Sequence, residues 1–82
     1  MKYMVEFRFK PGSKSKVLDK FELIGPNRNS GVLFRNAWIG TRSDVIFILS
    51  ESDDESLVKK ACDAWTEHGS YQLHSVIDIE QY

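Results

Sequence analysis

Apolar and polar residues alternate with period two over residues 2 to 9: Tyr3, Val5, Phe7 and Phe9 fall on one side, and Lys2, Met4, Glu6 and Arg8 on the other. That period is a strand with its odd-numbered face in the core. Lys10-Pro11-Gly12-Ser13 stops it, because Pro11 has no donor for a ladder and Gly12 allows a turn. The period then becomes helical: Val17, Leu18, Phe21 and Ile24 share one stripe, and Lys14, Lys16, Asp19, Lys20 and Glu22 take the wet side. Ser13 is placed to cap this helix and Gly25-Pro26 to end it. A polar loop, Asn27 to Gly31, leads to strand composition from Val32 to Gly40. Strict alternation there would put Val32, Phe34, Asn36 and Trp38 on one face and Leu33, Arg35, Ala37 and Ile39 on the other.

After the short link Gly40-Thr41-Arg42-Ser43 comes Val45-Ile46-Phe47-Ile48-Leu49, five consecutive apolar residues. A strand exposed on one side alternates, so this unbroken run predicts a central strand covered on both faces, paired as a hairpin with the segment before it. Ser52-Asp53-Asp54-Glu55 has the Ser-x-x-Glu spacing of a capping box. The helix it opens would bury Leu57, Val58, Ala61, Cys62 and Trp65 and close at His68-Gly69. Residues 71 to 79 alternate again and predict a last strand, with Tyr71, Leu73, Ser75, Ile77 and Ile79 on one side.

The order β-α-β-β-α-β predicts an α+β, ferredoxin-like domain over residues 1–82. Its four-stranded antiparallel sheet would have the first and third strands central and both helices on one face. Two helices cover one side of such a sheet, yet Met4, Val76, alternate residues of the central strand and Trp38 or Ile39 supply apolar side chains to the other. Each contributes about 1.5 to 3 kcal/mol when fully buried, and together they would form a sticky exposed patch. A second copy laid sheet to sheet covers them, so a homodimer is expected.

Composition removes several classes of function. The net charge of −1 over 82 residues lacks the basic excess of a general polyanion binder. The charge is nonetheless split, with nine Lys or Arg and three acids in residues 1–42 against two and nine in residues 43–82. Solvated helix faces account for that split more simply than electrostatic steering between subunits. Cys62 is the single cysteine, so no internal disulfide forms, and a reducing cytoplasm is the natural compartment. Glu6, Arg8 and Lys10 interrupt any secretory h-region, and no run approaches a membrane span of about 20 apolar residues.

Tyr3-Met4-Val5, Arg8-Phe9-Lys10-Pro11-Gly12, Trp38, Glu51-Ser52-Asp53-Asp54, Trp65 and Val76-Ile77-Asp78 together resemble a family of small bacterial proteins, domain-of-unknown-function family 3303. That family is in turn similar to the dimeric α/β-barrel superfamily, in which two ferredoxin-like subunits face their sheets across a lumen. The superfamily includes heme-degrading and antibiotic-biosynthesis monooxygenases, muconolactone isomerases and stress-response proteins, so the resemblance implies an architecture and leaves the activity open. Where the family commonly has His after the second-strand Trp, this chain has Ile39.

Candidate chemistry is sparse. His74 and Glu6 fall on the face away from the helices. Were they directly opposite, with Arg8 opposite Gln72, they would form a polar island serving either as an acid/base or binding group in the lumen or as a cross-strand pair satisfying buried polarity. Trp38 could line a pocket there, whereas Trp65 lies on the core stripe. Cys62 has no adjacent base and reads as packing. No metal-ligand spacing, phosphate loop or cofactor motif is present, and the third strand lacks the basic-Gly-aromatic pattern of RNA-recognition domains. The reading is a homodimeric, noncatalytic module for a small apolar or amphipathic ligand or for protein interaction, with no nucleic-acid or membrane partner. The alternative is a cofactor-independent enzyme of monooxygenase-like or isomerase-like type, using His74 with Glu6 or Arg8. Arg8, Trp38 and His74 are the candidate ligand-binding residues.

Overall fold

The alternating residues at the start of the chain form strand β1 (Lys2–Phe9), whose Tyr3, Val5, Phe7 and Phe9 are all buried. The computed structural model describes residues 1–24 and 31–82. Helix α1 (Lys14–Ile24) follows a turn in which Gly12 adopts φ +81°, a left-handed conformation that glycine takes without a Cβ penalty. Strands β2 (Leu33–Ile39) and β3 (Val45–Glu51) form the expected hairpin, helix α2 spans Glu55–Asp63, and β4 spans Gly69–Val76. The sheet order is β2-β3-β1-β4 with every neighbouring pair antiparallel, so β1 and β3 are central.

Both helices pack on the odd-numbered face of β1. Val17 of α1 joins Phe7, Phe9 and Ile46 in one buried cluster, and Val58 of α2 joins Tyr3 and Val5 in another. This is the ferredoxin-like arrangement, and among the described residues no helix lies on the even-numbered face of β1. The Gly25-Pro26 stop and, apart from Gly31, the predicted loop Asn27 to Gly31 lie outside the described residues.

Several expectations are corrected. The strict alternation through β2 fails at a β-bulge between Phe34 and Asn36. One extra residue at Arg35 re-phases the strand, so Phe34, Ala37 and Ile39 pair toward the helix side while Leu33, Asn36 and Trp38 share the opposite face. Leu18 is 40% exposed rather than on the buried stripe of α1. The cap of α2 is Asp54, whose carboxylate accepts from the Ser56 N–H at 2.9 Å, and not Ser52. Ser52 is buried instead, donating its hydroxyl to the Gly31 carbonyl at 2.7 Å and accepting from the Asp54 N–H at 3.2 Å.

Helix α2 also ends earlier than expected, at Asp63, with turns carrying the chain through Trp65 to His68. Gly69 is therefore no helix terminator. It begins β4 against β1, where a Cβ would collide with the Arg8 carbonyl and Phe9 Cα. β4 stops at Val76, and Ile77 and Ile79 lie beyond its pairing and are exposed, Ile79 at 90%.

Candidate functional site

On the helix-free face the register places side chains in rows across all four strands. One row runs Trp38, Phe47, Glu6 and Gln72; the next runs Asn36, Leu49, Met4 and His74; a third runs Leu33, Glu51, Lys2 and Val76. Trp38 and Leu33 are each 47% exposed at the β2 edge. The face therefore has an apolar centre with charges set into it.

That register overturns the expected His74–Glu6 pair. His74 lies opposite Met4, Glu6 opposite Gln72, and Arg8 opposite Ser70, a shift of two residues that preserves which face each side chain occupies but separates the partners. Glu6 is met instead by Arg8 from its own strand, at 3.3 Å. Farther along, Arg35 donates to Glu51 at 2.8 Å, and this hydrogen bond holds the Glu51 carboxyl below its ordinary range. Lys2 pairs with Asp78 at 3.3 Å. The carboxylates on this face are thus engaged with basic groups, and His74 has Met4 and the edge of the sheet for neighbours.

The opposite side holds a hollow. Between the two helices and the sheet lies a cavity of about 120 Å³, lined among the described residues by Phe7, Phe21, Phe34, Val58, Cys62 and Trp65 together with smaller aliphatic side chains and Ser50. Its walls follow from the elements: Phe7 stands on the buried face of β1, the bulge directs Phe34 to the helix side of β2, and Phe21 comes from α1. The rings interlock, with Trp65 6.5 Å from Phe7 in an edge-on contact, Phe21 6.2 Å from Trp65, and Phe21 6.0 Å from Phe34. Trp65 therefore packs against the core, as its place on the stripe predicted, and forms a wall as well.

Lys20, which the periodicity placed on the wet side of α1, ties the helices together. Its ammonium donates to the Ala64 carbonyl at 2.7 Å and to Glu67 at 3.2 Å, and sits 4.9 Å from the centre of the Trp65 ring. A cation at the C-terminal end of α2 also complements the helix dipole. The Lys20 contact lowers the Glu67 carboxyl. Nothing in the local sequence signals a contact that joins residues more than forty positions apart.

The polar equipment of the cavity is slight. Burial, followed by the nearby Asp63 charge, pushes the Cys62 thiol up to about 11, so it stays neutral near pH 7. Asp63 is engaged elsewhere, accepting from the Tyr71 hydroxyl at 2.8 Å; that hydrogen bond is the main cause that pushes the phenol up to about 12. Among the described residues the lining offers a hydroxyl, a neutral thiol and an indole, enough to orient a molecule but without an acid/base pair. Among the described residues no group of three or more His, Cys, Asp or Glu is placed to hold a metal ion. No helix there is long and apolar enough to cross a membrane.

A family model described as a domain of unknown function, DUF3303, matches residues 1–82. No curated protein matches the chain. Among solved structures, a crystal structure of an MhuD point mutant with two manganese protoporphyrin IX bound per active site is similar with a TM-score of 0.48 and 11% identity, covering 95% of this chain and 96% of that one.

Proposed function

The chain belongs to the DUF3303 family, a domain of unknown function that spans residues 1–82, and from that premise we propose a homodimeric, noncatalytic module that holds a small apolar ligand. The observation that carries the reading is the hollow between the helices and the sheet, about 120 Å³ in volume and walled by Phe7, Phe21, Phe34 and Trp65. Left empty, a hollow lined this way forgoes the dispersion contacts that a filled core would make. A small domain has only about 5 to 15 kcal/mol of net stability. An occupant recovers that loss, and the neutral lining favours holding a molecule over transforming it.

The enzymatic alternative has less support. His74 faces Met4 across the ladder, and Glu6 is engaged by Arg8. The dimeric part of the reading rests on the other face, where Trp38, Leu33, Phe47, Leu49 and Met4 share a surface that no helix covers.

The test is amide chemical-shift mapping of the isotope-labelled protein against a mixture of small apolar molecules. The expected shifts cluster on Phe21, Phe34, Val58, Cys62 and Trp65. Shifts clustered instead on Glu6, Trp38 and His74 would move the site to the helix-free face and overturn the reading.

A further inference from the structure

We infer that the occupant of this cavity is an uncharged molecule of single-ring size, of the benzene or toluene class, an inference that rests on the ligand-binding reading above and narrows it. Three observations converge. A cavity of roughly 150 Å³ lined by aliphatic and aromatic residues accommodates benzene, and the hollow here, partly open and about 120 Å³, is of the size that one ring fills. Four aromatic residues stand in its wall, with Phe21 and Phe34 6.0 Å apart and Trp65 6.2 Å from Phe21, so edge-on and offset contacts are available to a flat guest.

The third observation is electrical. Val5, Ile46, Ile48 and Val58 complete the walls, and no described charged residue is among the lining. Lys20, which sits over the Trp65 ring, is already held by the Ala64 carbonyl, the Glu67 carboxylate and that ring. A carboxylate entering the hollow would lose its water and gain no counter-charge from the described lining. Ser50 and Cys62 leave room for one weakly polar substituent, such as a phenol hydroxyl.

The experiment uses the full chain carrying Trp38→Phe, which leaves Trp65 as the single indole. Benzene, phenol, benzoate and naphthalene are titrated separately, reading the Trp65 indole N–H resonance and the thermal midpoint. At ten times its dissociation constant a bound probe raises the midpoint of a domain this small by about 5 to 10 °C. Benzene and phenol are expected to do so and to move the Trp65 resonance, with benzoate and naphthalene doing neither.

Ala61→Leu, which places three extra carbons in the lining, should abolish the response to benzene; should that variant fail to fold, Ala64→Leu serves the same purpose from the cavity wall. Benzoate or naphthalene binding with benzene inert would overturn the ligand class while leaving a ligand site in the cavity. A benzene response that survives the filling substitution would place the guest elsewhere and overturn the inference. No response to any probe would bring down both the inference and the ligand-binding reading beneath it.

Discussion

At the scale of single residues, the positions with the sharpest consequences are those where backbone comes close or ends. Gly69 opens β4 within reach of the Arg8 carbonyl, where a methyl group has no room. Gly69→Ala is therefore expected to lose about 2 kcal/mol or more, measured by urea unfolding; an unchanged midpoint would show that β1 and β4 can separate without penalty. Asp54 illustrates the pH side. Its carboxyl is held low by hydrogen bonds from the Ser56 side chain and backbone. Because the folded-state value lies below the unfolded one, this stabilisation is present above about pH 4 and disappears as pH falls through the lowered value. Asp54→Ala should lower the thermal midpoint at pH 7, and the gap to wild type should close toward pH 2. A gap independent of pH would remove the carboxylate from the explanation. The Ser52–Glu55 spacing marked this boundary to within two residues. Which oxygen caps the helix depended on Ser52 being drawn instead to the Gly31 carbonyl.

At the scale of elements, the bulge in β2 breaks the alternation that β1 keeps. Alternation assigns faces only while each residue advances the ladder by one, and the extra residue at Arg35 sends Phe34 and Trp38 to opposite sides. Phe34 thereby joins the cavity wall and Trp38 the helix-free face, a division of labour that periodicity could not reveal. Helix α2 yields a second pH prediction. The Cys62 thiol is raised to about 11 from an ordinary 9, chiefly by burial. The folded state then holds a proton that the unfolded chain releases first, so stability falls as pH rises from about 9 to about 11. Alkylation by iodoacetamide at pH 8 should be at least tenfold slower in the folded protein than in urea, since only the thiolate reacts. Equal rates would mean that α2 does not bury the sulfur.

At the scale of the whole molecule, the uncovered sheet face carries the prediction. If two copies stack there, Trp38→Glu places a charge within an apolar contact and should weaken association by about tenfold or more. Sedimentation equilibrium at micromolar concentration is expected to give a dimer for the wild type and a monomer for the variant. A monomeric wild type would leave the face with no partner of its own kind. Trp65 and the cavity lie on the other side of the sheet, so ligand binding by Trp38→Glu should persist if the sheet itself is intact.

Order and type of elements could be read from the chain because they depend on local periodicity and on residues such as Pro11, Gly12 and the apolar run Val45–Leu49, whose preferences act over a few positions. The same local pattern put both helices on the odd-numbered face of β1. Only the folded molecule decided that His74 meets Met4, that Glu6 is claimed by Arg8, and that Lys20 reaches across to Ala64 and Trp65. Strand register, bulge position and helix-to-helix contacts are settled by how side chains pack between segments distant in sequence, and a two-residue slide along a ladder leaves the period unchanged while replacing every partner.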